Sequence, residues 1–164
     1  MNYPKLKPGQ EVFGTKESAD ILDFGDRRFQ DFLQNGLIQF GVKVQWGDKG
    51  NHRTVFNHND LYLLKMLDRL LNMGIKRSLA AQMIEFIDCD IINPDLTRWI
   101  IFKGFDSYKS KGQMYYTPIM GSEITPDGLL SALHNSNVNV VINIKEIVES
   151  VDEAIKQYRE KNGK

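Results

Sequence analysis

From Thr15 to Gln34 the chain has two short segments whose apolar residues recur at helical spacing. Thr15 is a suitable N-cap for the first helix, and Asp26 is suitable for the second, which we expect to cover Arg27–Gln34. Asn35 and Gly36 follow, and such a pair ends a helix with a left-handed C-terminal cap. The apolar sides of the two helices carry Ala19, Ile21, Leu22, Phe29 and Phe32. The pattern predicts two consecutive helices joined by a turn.

The period of the pattern then changes from helical to alternating. Apolar and polar residues alternate from Val42 to Trp46, which is typical of a half-buried strand. The segment Gly47–Asn51 has turn composition, and Arg53–Phe56 is the expected returning strand. These features predict a hairpin whose tip is basic.

Two further helices follow the hairpin. Asn57 is a suitable N-cap, Asp60 lies in the first turn, and Gly74 ends this third helix. Ser78 is a candidate cap for a fourth helix that reaches Ile87. The third helix has a continuous apolar stripe formed by Leu61, Leu63, Leu64, Met66, Leu67, Leu70, Leu71 and Met73. We expect this stripe to form the core.

After residue 90 the pattern indicates short strands and helices in alternation. Trp99–Phe102 and Met114–Ile119 are predicted strands that flank a polar loop, and a short helix is expected from Pro126 to Leu133. Val138–Ile144 is a β-branched strand, and Lys145–Lys161 is the last helix. The stripe on this helix, Val148, Val151, Ala154 and Ile155, suits either packing on the small sheet or pairing with a second copy. We favour packing on the sheet.

The expected fold class is α+β in two parts. Residues 1–12 form an extended lead-in, residues 13–90 a helix-helix-hairpin-helix-helix unit, and residues 91–164 a β-β-α-β-α region of unknown role, either dimerisation or effector binding. An apolar content of 41% in 164 residues supports packed cores. The N-terminus lacks an apolar signal-peptide stretch, and no apolar run is long enough to span a membrane, so a cytoplasmic protein is expected.

Charge and motifs exclude several classes of function. With 21 basic and 21 acidic residues, the neutral chain differs from the strongly basic proteins that coat nucleic acid. A specific DNA reader needs only a local patch of about ten basic groups. Phosphate-loop, dinucleotide-binding, zinc-protease and serine-hydrolase motifs are absent from the sequence. His52, His58 and His134 are scattered, and Cys89 lies between two aspartates, so we expect no catalytic residue, metal or cofactor.

Four motifs occur in an order that is known from one family of regulators. They are Gly25–Phe29, Gly36–Ile38, Arg53–Leu61 and Met73–Lys76. With these motifs, Thr15–Ile87 resembles the DNA-binding domain of the mercury-resistance-regulator (MerR) family. The resemblance implies a winged helix-turn-helix that binds double-stranded DNA and regulates transcription.

The expected DNA contacts lie on successive elements. The N-terminal side chains of a second helix in such a unit reach base edges in the major groove, and the hairpin lies along phosphates. An arginine there pairs with guanine or clamps a phosphate, and a glutamine reads adenine. The candidate DNA-binding residues are Lys16, Arg27, Arg28, Gln30, Lys43, Lys49, His52, Arg53, Lys76 and Arg77.

Other interpretations of the same residues stay open. Each basic residue alone is as well explained as a solvated surface group, and Trp99, Tyr115 and Tyr116 suit either a ligand pocket or a core. The alternatives to a regulator are an excisionase-like or phage architectural DNA-binding protein and a protein-interaction module on the winged fold. A homodimer is expected because dimers read paired half-sites. The sequence does not identify a small-molecule effector.

Overall fold

The computed structural model describes residues 9–37, 40–45, 51–85, 87, 99–106, 114–121 and 138–163. Within these ranges the fold is α+β, with small antiparallel sheets. The elements are β1 (Phe13–Gly14), α1 (Thr15–Leu22), α2 (Asp26–Gln34), β2 (Val42–Gln45), β3 (His52–Phe56), α3 (His58–Asn72), α4 (Arg77–Glu85), β4 (Trp99–Asp106), β5 (Met114–Gly121), β6 (Val138–Asn143) and α5 (Ile144–Asn162).

The chain divides into two compact units, which are described separately. The N-terminal unit contains residues 1–81 together with residues 150–164, and the second unit contains residues 82–149. This grouping differs from a single boundary at residue 90, because the last part of α5 belongs with the N-terminal unit.

The N-terminal unit has a three-stranded antiparallel sheet in the order β1-β3-β2. The predicted hairpin is confirmed as the pair β2–β3, in which Val42 lies opposite Val55. The strand β1 was not predicted. It pairs with the edge of β3 that faces away from β2, and Phe13 lies opposite Phe56. The predicted strand end at Trp46 and the turn residues 47–50 lie outside the described residues.

Three predicted N-caps are wrong by one or two positions. Gly14 and Gly25 precede α1 and α2 with extended backbone, so Thr15 and Asp26 are already helical. The N–H of Gly14 donates to a carboxylate oxygen of Glu17 at 2.9 Å, because the first turn of a helix has unpaired donors.

The start of α4 also differs from the prediction. The Lys76 carbonyl accepts the N–H groups of Leu79 and Ala80, so Lys76 precedes the helix and Ser78 lies inside it. Sequence patterns predicted the helix correctly but not its first residue.

The predicted start of α3 and the predicted ends of α2 and α3 are confirmed, whereas α4 ends at Glu85 and does not reach Ile87 as a helix. Asn57 accepts the Asp60 N–H at 2.9 Å, and the Asp60 carboxylate accepts the Asn57 N–H at 2.8 Å. Gly36 and Gly74 have φ of 66° and 83°, the left-handed conformation that ends a helix.

The core of the N-terminal unit combines phenylalanines with the leucine stripe of α3. Phe29 and Phe32 are each 1% exposed, and the Phe29 ring contacts Phe56 at 5.6 Å between centroids. The predicted stripe is buried at Leu61, Leu63, Leu64, Met66, Leu67 and Leu70, whereas Met73 is exposed. The phenylalanines fix α2 on the sheet, since close-packed aromatic rings leave little freedom to slide.

The last part of α5 is attached to this unit by buried and polar contacts. Val151 and Ile155 are buried, and the Tyr62 hydroxyl donates to Asp152 at 2.7 Å. Burial and this carboxylate raise the pKa of Tyr62, so its hydroxyl keeps the proton that it donates. Arg159 forms an ion pair with Glu11. The expectation that the whole stripe packs on the small sheet is therefore wrong for the part beyond residue 150.

The second unit contains an antiparallel sheet in the order β5-β4-β6. The predicted strands are present, and β4 and β5 are longer than expected, with Trp99 opposite Gly121. The buried residues described in this sheet are Ile100, Ile101, Phe102, Val140 and Ile142.

Several expectations lie beyond the described part of the chain. The short helix expected from Pro126 to Leu133 lies outside the described residues, as do Cys89 and His134. The side chains of Trp99, Tyr115 and Tyr116 also lie outside the description. None of the helices in the described ranges combines the length and apolar character that crossing a bilayer requires.

Candidate nucleic-acid interface

The helix α2 presents three different sides, because successive residues are rotated by about 100° around a helix axis. One side carries Phe29 and Phe32 into the core. The flank beside it carries Arg28 and Asp31, which are three residues apart. The core occupies one side of α2 and the neighbouring helices occupy the charged flank. The third side is the face of α2 that a binding partner can reach.

Two ion pairs fix the flank of α2 to the helices that follow. Arg28 Nη2 lies 2.6 Å from Asp68 Oδ1 of α3. Asp31 Oδ2 lies 2.7 Å from Arg77 Nη1 of α4. Sequence reasoning missed the pairing of Arg28 with Asp68, because the partner lies on a different helix. These pairs set the orientation of α2 against α3 and α4.

The remaining face of α2 is a solvent-exposed stripe of long polar side chains. Arg27, Gln30 and Gln34 are exposed and stand at positions i, i+3 and i+7. Within the described part of the chain, Arg27 has no ion-pair partner. Sequence reasoning identified Arg27 and Gln30 but missed Gln34, although its helical spacing from both was visible.

Lys16 lies beside this stripe. A small cleft of about 270 Å³ is lined by Thr15, Lys16, Ala19, Phe29 and Gln30. The structure therefore brings Lys16 of α1 close to Gln30 of α2, and Lys16 is exposed. A cation at this place is suited to a phosphate next to bases that Gln30 reaches.

The hairpin places its basic residues on both of its faces. Lys43, His52 and Arg53 are exposed. His52 lies opposite Gln45, which shares a face with Lys43, whereas Arg53 lies opposite Val44 and points to the other face. The structure thus brings Lys43 and His52 together and separates Arg53 from them. Lys49, expected at the tip, lies outside the described residues.

The two basic residues at the start of α4 have different environments. Arg77 is paired with Asp31, so its charge is already balanced. Lys76 is exposed and immediately precedes the helix. Of the two, Lys76 is the better candidate for a phosphate contact.

The base of the hairpin is tied to α3 by a buried carboxylate. Asp60 is 5% exposed and accepts the backbone N–H groups of Asn57 and Gly41. Burial raises the pKa of Asp60, and the two hydrogen bonds partly oppose that increase. The carboxylate thereby joins the start of β2 to the start of α3.

Gly41, which precedes β2, occupies a position where a side chain would be strained and crowded. Its φ is +92°, and an added Cβ would lie 2.7 Å from Cε1 of Phe56. Phe56 is fully buried, so it has no room to move aside. Glycine therefore permits the hairpin to leave the phenylalanine core at this angle.

The residues that the structure describes contain no group of three histidine, cysteine, aspartate or glutamate side chains arranged to hold an ion. The candidate residues that do come together are suited to hydrogen bonding and charge recognition.

No protein-family model matches the chain, and no curated protein matches its sequence. The functional argument therefore depends on the residues and their geometry.

Proposed function

We propose that the N-terminal unit is a winged helix-turn-helix that binds double-stranded DNA, and that the protein is a sequence-specific transcriptional regulator. In this proposal α2 is the recognition helix and β2–β3 is the wing. The support is the order α1, α2, hairpin and α3 within one compact unit, which also contains the first residues of α4. A helix of this kind enters a major groove about 12 Å wide, where base edges differ between base pairs.

The observation that carries the proposal is the exposed stripe Arg27, Gln30 and Gln34 on α2. An arginine fork matches guanine O6 and N7, and a glutamine amide matches adenine N6 and N7. The opposite side and the flank of α2 are fixed by phenylalanines and ion pairs. A rigid helix with three base-reading side chains on its free face is suited to sequence recognition.

Exposed cations on the neighbouring elements supply candidate phosphate contacts. They are Lys16, Lys43 and Lys76. If all three neutralise phosphates, they contribute about 2.7 per protomer to the log–log salt slope of the affinity. An increase from about 50 to about 200 mM salt then weakens binding about 40-fold.

A dimer is part of the proposal, because paired half-sites about 34 Å apart are the common arrangement for such units. In a dimer, the two copies of α2 enter the major groove on the same side of the duplex, one helical turn apart. Sedimentation with and without a selected duplex measures the stoichiometry, and one protomer per site would contradict the dimer.

The experiment selects duplexes from a random-sequence library with the full chain, followed by affinity measurements at the two salt concentrations. We expect an enriched sequence for the wild type and loss of base preference in the double variant Arg27→Ala with Gln30→Ala. The matched control is Lys156→Ala, an exposed cation on α5 in the same unit. It should leave the enriched sequence and affinity unchanged.

Two results would contradict the proposal. One is the absence of enrichment by the wild type at about 50 mM salt, where phosphate contacts are strongest. The other is an unaltered preference in the double variant, since that would place the recognition surface elsewhere.

A further inference from the structure

We propose that a cavity in the N-terminal unit binds a small zwitterionic ligand, a free amino acid or a short peptide, and that this ligand regulates DNA binding by α2. Two carboxylates, two lysines and an apolar wall form the site. Binding of the ligand does not depend on the proposed function, whereas the regulation rests on it.

The cavity lies beside the turn that joins α1 to α2 and has a volume of about 630 Å³. Residues 19–24 form one wall, α3 contributes Lys65, and the C-terminal half of α5 supplies another wall. All of these residues belong to the N-terminal unit. Small-molecule sites usually have volumes of about 300–1,000 Å³, so the cavity has room for an amino acid or a short peptide.

Four charged side chains of both signs line this cavity. Asp20 and Asp23 come from α1 and the turn, Lys65 comes from α3, and Lys161 comes from α5. In the part of the chain that the structure describes, none of the four forms an ion pair. Opposite charges that line one cavity without pairing are available to a ligand that carries both charges.

The two aspartates define where the cationic group of the ligand binds. The C-terminal end of a helix has a partial negative charge, and α1 has no basic residue in its last turn to balance it. Asp20 and Asp23 add their charges at this end. An ammonium group is stabilised there, whereas Lys65 and Lys161 are suited to a carboxylate.

The cavity also has an apolar wall. Leu22 and Phe24 line it, and they are 2% and 7% exposed. An inorganic ion would leave this wall uncovered, whereas an apolar side chain of the ligand would gain contact with it. We therefore expect amino acids with apolar side chains, or dipeptides of them, to bind best.

Phe24 connects the cavity to the recognition helix. Its ring centroid lies 6.1 Å from that of Phe29 and 5.9 Å from that of Phe32, the two residues on the buried side of α2. A ligand held by α1 and α5 restrains Phe24, and close packing transmits that restraint to α2. Because a restrained helix loses less freedom when it binds, we expect the ligand to strengthen binding to DNA.

The binding test uses the full chain without DNA. The probes are the common free amino acids and a set of apolar dipeptides, each tested by thermal unfolding. We expect a probe that binds to raise the unfolding midpoint by about 4 °C at about ten times its Kd. The N-acetylated and the C-amidated forms of that probe, which each lack one charge, should give no increase.

Variants at the cavity test the assigned charges by titration calorimetry. Asp20→Asn and Lys161→Ala should each weaken binding of the probe about tenfold. The matched controls are Glu160→Gln and Lys156→Ala, exposed charges on α5 that do not line the cavity. Both controls should bind the probe as the wild type does.

The regulation is tested with the duplex that the wild type selects. We expect the probe at saturation to increase affinity for this duplex at least about fivefold in the wild type. At the same concentration of the probe, Lys161→Ala should show a smaller increase, whereas Lys156→Ala should respond fully. Lys161 is not among the proposed DNA contacts, so the variant should bind the duplex normally without the probe.

The outcomes separate the ligand site from the proposed function. If none of the probes raised the unfolding midpoint, or if the acetylated and amidated forms were equally effective, the zwitterion site would be wrong. Binding of the probe with an unchanged duplex affinity would overturn the regulation alone. Absence of an enriched duplex would overturn the proposed function and the regulation, while the melts without DNA would still decide the ligand site.

Discussion

At the scale of single residues, the N-terminal unit depends on a few positions where backbone conformation and packing meet. Gly41 is one, because its positive φ and its contact with Phe56 act together. Gly36 also has a positive φ but faces open space. The two glycines therefore separate the cost of backbone strain from the cost of crowding.

We predict that Gly41→Ala destabilises the protein by about 3 kcal/mol, the sum of backbone strain and overpacking against Phe56. Gly36→Ala, the matched control, should cost only about 1 kcal/mol, since it adds strain alone. Urea unfolding followed by circular dichroism measures both. Equal losses in the two variants would contradict the role given to the Phe56 contact.

At the scale of elements, the start of α3 joins a helix cap to the base of the hairpin. Asp60 accepts N–H groups from both, and it is buried. Its ionised form therefore gains hydrogen bonds and loses hydration, and the raised pKa shows that the lost hydration is the larger effect.

Because the pKa of Asp60 is raised, we predict that the difference in unfolding free energy between the wild type and Asp60→Asn depends on pH. Above the ordinary value of 3.8, the folded state binds more protons at this residue than the unfolded state does. The contribution of Asp60 to stability is therefore greatest below that pH and declines as pH rises through the folded pKa. Asparagine does not titrate.

We expect the variant to be destabilised most at about pH 3.5, with a smaller deficit at pH 7. The free energy of unfolding in urea at the two pH values measures this. If the loss of unfolding free energy in Asp60→Asn grew with pH, the pKa of Asp60 in the folded state would be lowered. That result would contradict burial as the main influence on this pKa.

At the scale of the whole molecule, the N-terminal unit contains the end of the chain as well as its beginning. Residues 150–164 group with residues 1–81, and Val151 and Ile155 are buried there. Tyr62 and Glu11 hold the same segment through Asp152 and Arg159. A unit defined by residues 13–90 alone would lack these contacts.

We predict that a chain ending at Glu149 loses about 4 kcal/mol of stability in its N-terminal unit, because two large apolar side chains no longer cover the core. The matched control ends at Glu160, which keeps Val151, Ile155 and Arg159. Amide hydrogen exchange in α3 reports the stability of this unit. Equal protection of α3 in the two chains would contradict the role assigned to the end of α5.

The sequence by itself determined the elements and their order in the N-terminal half. Helical spacing of Phe29 and Phe32, the Asn57 cap with Asp60, and the glycines that end helices are local signals, since each acts within a few residues. Local signals also identified Arg27 and Gln30 as candidates on one helix. The short strand β1 escaped prediction because two residues carry no period, and pairing with β3 alone defines it.

Only the tertiary structure decided which charged groups are available. Arg28 and Asn72 are separated by 44 positions in the chain, and no period or spacing indicates that their side chains meet. Asp31 and Arg77 pair in the same way between α2 and α4. The physical reason is that an ion pair between helices depends on how the helices pack, whereas a helix forms from contacts along its own length.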